Sequence, residues 1–291
     1  MKWESGRRSS NIEDRRGMAP RRRSAAKLGG VGVLAVVVVA GVVWALGGDP
    51  MAVLRVGLSA PTGETTDTPS AGPPSANDPD AQFVSVVLAD TEDTWGALFP
   101  AQLQRPYQPP RLVLFRDLVE SACGEADSAV GPFYCSGDRK VYLDLAFFHD
   151  LDRRLGAPGD FAQAYVIGHE VGHHIQTLLG TGDRVRQMRR SLPQAESNAL
   201  SVRFELQADC YSGVWAHHAH RQRQILEPGD VEEALGAAAA IGDDRLQRQS
   251  RGRVVPESFT HGTSEQRVRW FRQGMTTGLV ASCDTLNAPS L

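Results

Sequence analysis

The distribution of hydrophobic and polar residues divides the chain into four long stretches. Residues 1–27 are mostly polar and basic, whereas residues 28–48 contain no charged side chain. Residues 49–81 are rich in Pro, Gly, Ser and Thr, and residues 82–285 mix hydrophobic runs with polar positions. Only this last stretch shows the helix and strand periods of a packed domain, and residues 286–291 follow it as a short tail. We therefore expect one folded domain over residues 82–285.

Hydrophobic runs in this domain predict three short strands, followed by a series of helices. The strands are predicted at residues 111–115, 132–136 and 140–145. Helices are predicted over residues 84–104, with a break near Pro100, and then over 160–179, 193–220, 230–249 and 263–272. Residues 84–88 alone could instead form a strand. This order of elements indicates a fold of the α+β class.

Residues 28–48 are long enough to cross a membrane as a helix. At ~1.5 Å per residue, this stretch spans a hydrocarbon core of about 30 Å. Residues 1–27 carry nine Lys and Arg against three acidic residues, and this positive charge favours the cytoplasmic side of a membrane. The sequence therefore predicts a single-pass protein of the cell membrane, with residues 1–27 as a cytoplasmic tail and the domain outside the cytoplasm. A cleaved signal peptide and a buried core helix are the alternatives.

Composition adds two points to this picture. Residues 49–81 contain too little hydrophobic surface to offset the entropy of ordering, so we expect them to form a flexible linker. A basic tail can bind nucleic acid, but the uncharged stretch that follows this one favours the membrane, and we expect no nucleic-acid partner.

The predicted helix at residues 160–179 contains the motif His-Glu-x-x-His. In a helix, His169 and His173 lie one turn apart on the same face, so both imidazoles can reach one metal ion. Glu170 lies beside them, where it can take a proton from a metal-bound water. Gly168 and Gly172 each cost the helix up to ~1 kcal/mol relative to Ala, so we expect another element to pack closely against them.

Two histidines do not complete a catalytic zinc site, and the next helix offers a third ligand. Glu205 and Asp209 lie four residues apart, so that one helix face carries both carboxylates. Glu205 is predicted as the third ligand, and Asp209 as the acceptor of the second ring N–H of a ligand histidine. An exposed acidic pair is the alternative.

A strand that precedes such a helix can also bind substrate. An exposed edge strand pairs with an extended peptide and holds its backbone across the metal. The best candidate for this role is the strand at residues 141–145, and an ordinary interior strand is the alternative.

The four cysteines, Cys123, Cys135, Cys210 and Cys283, all follow the predicted membrane segment. An even number of cysteines in an oxidising compartment favours two disulfides. Of the three possible pairings we favour Cys123–Cys135, which closes a short loop, and Cys210–Cys283, which ties the end of the chain to the Glu205 helix. A cysteine zinc site is the alternative, but no Cys-x-x-Cys spacing is present.

Five segments of the sequence are similar to those of a known family. They are residues 169–176 (His-Glu-Val-Gly-His-His-Ile-Gln), 205–216, 258–271, 7–17 and 121–135. The chain resembles the neutral zinc metallopeptidases, a YpfJ-like family of bacterial membrane-anchored proteins, over nearly its whole length except the linker. This resemblance implies a zincin-like metallopeptidase domain, in which a small sheet packs on the His-Glu-x-x-His helix and further helices. It also implies the ligands His169, His173 and Glu205 and the general base Glu170, which agree with the motif itself.

A further element near the end of the chain is similar to one in membrane-associated zinc proteases. Thr260-His261 and Arg267 correspond to a Thr-His-Pro…Arg element that follows the glutamate ligand there, with Gly262 in place of the proline. His261 or Arg267 could stabilise the oxyanion that forms during peptide hydrolysis. The alternative is that this element caps the last helix.

Two classes of function remain open from the sequence. The first is a membrane-anchored endopeptidase with one Zn²⁺ per chain, which hydrolyses a peptide or protein substrate through a zinc-bound water activated by Glu170. The second is a non-catalytic, membrane-anchored zinc-binding module for a partner or the cell surface. Glu170 favours the enzyme, because a structural zinc site has no use for a base beside the metal. The sequence indicates neither the substrate nor the oligomeric state.

Overall fold

The structure is a computed structural model that describes residues 1–18 and 72–291. The strands in these residues are β1 (Ile12–Asp14), β2 (Arg111–Phe115), β3 (Leu118–Ser121), β4 (Gly124–Asp127), β5 (Phe133–Cys135) and β6 (Lys140–Asp144). The helices are α1 (Pro79–Leu98), α2 (Ala146–Arg153), α3 (Asp160–Leu178), α4 (Thr181–Arg189), α5 (Gln194–Arg223), α6 (Asp230–Ala240), α7 (Asp243–Arg251) and α8 (Ser264–Thr277). A small sheet with packed helices agrees with the predicted α+β class.

Four strands form one sheet in the order β1-β2-β6-β5. Strands β1, β2 and β6 run parallel, and β5 pairs antiparallel with β6. The hydrophobic residues of β2 and β6 are buried on both faces of the sheet, as the continuous runs Leu112–Phe115 and Val141–Leu143 require. The prediction of an edge strand at residues 141–145 is therefore wrong, because β6 lies between β2 and β5 in the sheet. The edge strand next to α3 is β5.

The structure divides the chain differently from the predicted boundaries. Met1–Arg16 belongs to the same compact unit as residues 72–291, in which β1 is a strand of the main sheet. The folded domain therefore does not begin at residue 82, and residues 286–291 are part of it as well.

The predicted membrane segment, residues 28–48, lies outside the described residues, as does most of the predicted linker. Among the helices that the structure describes, none combines the length and apolar character needed to span a bilayer.

The helices around α3 approach one another closely. A Cβ atom at Gly168 would lie 2.6 Å from the Ser212 hydroxyl oxygen of α5, and one at Gly172 would lie 2.8 Å from the Ala208 carbonyl oxygen. A larger residue at Gly172 would require a shift of the helices, because it would meet the backbone of Ala208, whereas one at Gly168 would displace the Ser212 and Trp215 side chains. The expected close neighbour of the two glycines is therefore α5, which carries the predicted third ligand.

One predicted helix, at residues 230–249, is in fact two helices, α6 and α7. The break falls at Ile241 and Gly242, where the start of α8 fits between them. The Ser264 hydroxyl donates a hydrogen bond to the Ala239 carbonyl at 2.7 Å, and a Cβ atom at Gly242 would lie 2.5 Å from the Ser264 nitrogen. Helix α6 therefore ends before Gly242, where the first residue of α8 packs against the backbone.

Two disulfides link the residues in the predicted pairs, Cys123–Cys135 and Cys210–Cys283. The first ties the β3–β4 hairpin to β5. The second joins α5 to the end of the chain, beyond α8.

Candidate metal centre

Three of the predicted site residues converge on one point. His169 Nε2 lies 3.3 Å from Glu205 Oε2, and His173 Nε2 lies 3.4 Å from the same oxygen. The ligand atoms of these three residues all lie within 4.8 Å of one another. Helix α3 presents the two histidines one turn apart, and the close contact at Gly172 brings the Glu205 side chain of α5 to them.

These distances fit a zinc ion. Ligand atoms about 2.0–2.1 Å from a tetrahedral Zn²⁺ lie about 3.3 Å from one another, which is close to the separations of Glu205 Oε2 from the two nitrogens. Charge-assisted hydrogen bonds between the same groups would be shorter, about 2.7–2.9 Å. Two imidazole nitrogens and one carboxylate oxygen are a ligand set that catalytic zinc sites use.

The second nitrogen of each ligand histidine is held by a buried acceptor. His169 Nδ1 donates to Asp209 Oδ1 at 2.7 Å, as predicted for Asp209. His173 Nδ1 donates to Gln176 Oε1 at 2.8 Å, and the Gln176 amide in turn donates to the Phe204 carbonyl at 2.7 Å. These bonds place the hydrogen on Nδ1 and direct the Nε2 lone pair of each ring toward the shared point.

Arg267 and Tyr165 complete the surroundings of Asp209. Arg267 donates to both Asp209 oxygens, at 2.9 Å and 2.8 Å, and the Tyr165 hydroxyl donates to Oδ1 at 2.6 Å. Asp209 is fully buried and Arg267 is 2% exposed. The structure thus places Arg267 on Asp209, where it orients the partner of His169. Arg267 also lines the cleft that the ligand atoms face, and its predicted role at an oxyanion stays a prediction.

The charges of this network favour a cation at the ligand atoms. Burial alone would lower the pKa of His169, but the charge of Asp209 and the hydrogen bonds with Asp209 and Glu205 raise it to about 9. Burial would raise the pKa of Asp209, but Arg267 and His169 outweigh it and lower the pKa to about 2. A metal ion can replace the protons on the Nε2 atoms that face Glu205, while the Nδ1 hydrogen of His169 stays on Asp209, so binding of the metal releases protons.

The ligand atoms face a cleft of about 540 Å³. Glu170 lines this cleft beside the ligands, and none of the described residues donates a hydrogen bond to its carboxylate. The lining residues include Phe133 and Tyr134 of the edge strand β5, and the polar side chains Ser136 and Arg186. Apolar side chains line it as well, among them Phe147, Leu155 and Leu246.

His261 also lines the cleft, on the loop between α7 and α8. Its side chain is 52% exposed, and its Nδ1 atom lies 3.3 Å from Asp243 Oδ1. The structure therefore brings the predicted His261 to the same cleft as the ligands. The Thr263 side chain caps α8, so the capping alternative applies to Thr263 while His261 stays open to the cleft.

Sequence reasoning missed Gln176, Tyr165 and Asp243. Gln176 could have been found as a polar residue three positions after His173, on the buried side of the same helix. No local pattern points to Tyr165 or Asp243, because their partners lie 44 and 18 positions away in the chain.

Comparison with known proteins agrees with this geometry. Residues 1–286 match the family described as "Putative neutral zinc metallopeptidase". The chain is 50% identical over 292 residues to "Uncharacterized protein YpfJ" of Escherichia coli (strain K12), covering 98% of each protein. It is 45% identical over 208 residues to "Uncharacterized protein Mb2605" of Mycobacterium bovis, covering 68% of this chain and 67% of that protein. "Uncharacterized protein Rv2575" of Mycobacterium tuberculosis (H37Rv) matches equally.

No solved structure matches the chain significantly. The family match extends over almost the whole chain and includes residues 1–16 as well as the ligands on α3 and α5. The chain belongs to the neutral zinc metallopeptidase family.

Proposed function

We propose that the protein is a zinc-dependent endopeptidase in which His169, His173 and Glu205 hold one Zn²⁺ and Glu170 is the general base. The observation that carries this proposal is that the three ligand atoms and the Glu170 carboxylate face the same open cleft. A structural zinc site would close around the metal with a fourth protein ligand instead.

Zinc, when bound, supplies a Lewis acid that makes a coordinated water acidic enough to lose its proton near neutral pH. Glu170 accepts that proton and can pass it to the departing amine of the substrate. Asp209 and Gln176 keep the ligand rings in the tautomer that binds metal, and Arg267 keeps Asp209 ionised and in place. His261 faces the cleft as a donor for the negative charge that develops on the substrate carbonyl oxygen.

The shape of the cleft supports a polypeptide substrate. Strand β5 has one edge paired with β6, and its residues line the cleft beside the ligands. An extended peptide can add to the other edge of β5 through main-chain hydrogen bonds, which would lay a peptide bond beside Glu170. The role that the sequence assigned to residues 141–145 is therefore proposed for β5, Phe133–Cys135.

The direct test is to measure metal content and peptidase activity of the full-length protein. We expect about one zinc per chain and hydrolysis of fluorescein-labelled casein that a chelator abolishes and added zinc restores. Because residues 1–16 belong to the fold, a fragment that begins at residue 82 is not suitable for this test. Stoichiometric zinc without cleavage of casein or of a mixed peptide library would favour the non-catalytic zinc-binding module.

We also propose that the domain lies outside the cytoplasm, which the two disulfides support. Residues 1–16 then share its compartment, because they pack into its sheet. Single cysteines at exposed Ser5 and Gln187, each tested in turn, should react alike with a membrane-impermeant maleimide on spheroplasts. Labelling of position 187 alone would support the predicted cytoplasmic tail instead.

A further inference from the structure

The loop that carries His261 into the cleft is held by one carboxylate. Asp243 Oδ2 accepts hydrogen bonds from three consecutive backbone N–H groups, those of Thr260 at 2.7 Å, His261 at 2.6 Å and Gly262 at 3.1 Å. The Asp243 N–H donates in return to the Gly262 carbonyl at 2.9 Å. These four bonds fix the loop against the start of α7.

Gly262 makes this tight loop possible. Its φ angle of 97° lies in the region that favours glycine, and a Cβ atom there would lie 3.2 Å from Val202 and 3.3 Å from Leu206 of α5. In this chain the loop therefore requires a glycine at the position where the similar Thr-His-Pro element has a proline. Only glycine adopts this backbone conformation readily and fits against α5.

The second oxygen of Asp243 is left for the histidine ring. Oδ1 lies 3.3 Å from His261 Nδ1, and the Thr260 hydroxyl oxygen lies 3.1 Å from the same nitrogen. The Asp243 side chain is 12% exposed, whereas that of His261 is 52% exposed and lines the cleft. The carboxylate is therefore shielded from solvent, and the ring is accessible.

We propose that Asp243 is a positioning residue, which accepts the Nδ1 hydrogen of His261 on Oδ1 and so directs Nε2 into the cleft, where the ring with hydrogen on both nitrogens donates to the developing oxyanion. This proposal rests on the proposed peptidase function. It adds a third helix, α7, to the two that hold the metal.

The chemistry of the pair supports this assignment. With Nδ1 donating to Asp243, Nε2 can donate only if it carries hydrogen as well, and the Asp243 carboxylate is the counter-ion beside such a ring. Burial alone would raise the pKa of Asp243, but the bonds and charge of His261 and the bond from Thr260 lower it, which keeps the carboxylate ionised. Holding the loop requires only Oδ2, so the placement of Oδ1 against the ring is a separate feature.

Asp243→Asn separates these two features. The amide oxygen can still accept the three backbone N–H groups, while the amide NH₂ takes the place of Oδ1 and cannot accept the hydrogen of Nδ1. We expect kcat on a quenched fluorescent peptide to fall by roughly 10–100-fold, with KM, zinc content and thermal stability nearly unchanged. Asp244→Asn is the matched control, because Asp244 binds Ser264 instead and has no bond to His261.

A double-mutant cycle tests whether Asp243 acts through His261. We expect His261→Ala to lower kcat by roughly 10²–10³, the usual effect of losing an oxyanion donor. In that background Asp243→Asn should cause no further loss. Equal losses in both backgrounds, or an unchanged kcat in Asp243→Asn, would overturn the proposal.

A readout that needs no activity is the state of the His261 ring. Two-bond ¹H–¹⁵N spectra of the metal-free, ¹⁵N-histidine-labelled full chain should show hydrogen on Nδ1 of His261. Asp243→Asn should leave hydrogen on Nε2 alone, which makes the ring a neutral and therefore weaker donor. An identical ring state in both proteins would contradict the proposal. Glu170→Gln distinguishes a failure of this inference from a failure of the proposed function. If Glu170→Gln retains full activity, the proposed function is wrong. If Glu170→Gln is inactive but Asp243→Asn is fully active, only this inference is wrong.

Discussion

The metal centre and the N-terminal segment, residues 1–16, both bury charged groups, and both give nearly all of them a partner. At the metal centre, the histidines and carboxylates come from two helices that touch at Gly172. In the N-terminal segment, the partners are distant in sequence: Asn11 binds Glu92, 81 positions away, and Glu13 binds Lys140, 127 positions away. The metal centre could be predicted from the sequence, whereas the docking of the segment could not.

The difference lies in what each region needs in order to form. A metal site requires particular ligand atoms at fixed spacing, so its motif is specific even in a short stretch. A buried ion pair requires only opposite charges, which occur throughout any soluble chain. The basic residues of the segment therefore resembled a solvated tail, although Arg7 binds Glu92 and Asp93, and Glu13 accepts bonds from Arg15, Arg111 and Lys140.

The same distinction explains which parts of the fold were predictable. Strands β2 and β6 and helices α3 and α5 have strong hydrophobic patterns, and their positions were predicted within a few residues. Strand β1, Ile12–Asp14, has one buried hydrophobic residue, Ile12, and shows no strand pattern of its own. The order of strands was not predictable either, because pairing of β5 with β6 depends on the packing of the whole sheet.

The largest expected effect tests the metal centre. Glu170→Gln keeps the shape of the side chain but removes the group that accepts a proton, so hydrolysis should fall by roughly 10²–10⁴ while zinc content stays near normal. Rates on the fluorescent peptide and zinc content by mass spectrometry measure both. Glu205→Gln is the contrasting variant and should lose zinc. If Glu170→Gln lost the metal and Glu205→Gln kept it, the assigned roles would be wrong.

A smaller loss is expected one step away from the ligands. Asp209→Asn removes the charge that orients His169 and leaves Arg267 without its anion, so zinc affinity or activity should fall by about 10–100-fold. Competition with a zinc-binding dye measures the affinity. An Asp209→Asn variant with normal affinity and normal activity would show that the buried pair serves the fold alone.

In the N-terminal segment, we expect substitutions to lower the stability of the fold and to leave zinc binding unchanged. Glu92 is the centre of its docking, since Oε1 accepts from Ser9 at 2.6 Å and Asn11 at 2.7 Å, and Oε2 accepts from Arg7 at 2.8 Å. Glu92→Ala should lower the free energy of unfolding by about 2 kcal/mol, because the partly buried Ser9 and Asn11 donors lose a charged acceptor. Zinc affinity of the folded protein should not change.

Asp93→Ala provides the control for this comparison. Asp93 lies next to Glu92 on α1, but its side chain is 45% exposed and binds only Arg7. The expected loss is below about 0.5 kcal/mol, as for most exposed ion pairs. Equal effects of the two variants in urea unfolding would mean that the segment is not docked as the structure has it.

The smallest effect concerns the pH dependence of the same docking. Burial alone would raise the pKa of Glu13, but hydrogen bonds from Lys140, Arg15 and Arg111 lower it from 4.5 to about 2. A carboxyl whose pKa is lower in the folded state adds stability above its unfolded pKa and loses it as the pH falls through the folded pKa. Glu13→Gln should therefore cost about 1 kcal/mol at pH 7, after allowance for solvent screening.

This cost should shrink between pH 4.5 and pH 2, because the wild-type carboxyl becomes protonated there. Urea unfolding of both proteins with chelator present measures the difference without the contribution of metal release, which also depends on acid. Glu4→Gln, at an exposed position of the same segment, should change stability by less than about 0.5 kcal/mol at pH 7. A cost of Glu13→Gln that stays constant down to pH 2 would mean that the charge of Glu13 contributes nothing. The segment would then be held by its backbone pairing and by Glu92. Glu92 would in that case be the one buried carboxylate of this docking to compare with the carboxylates of the metal centre.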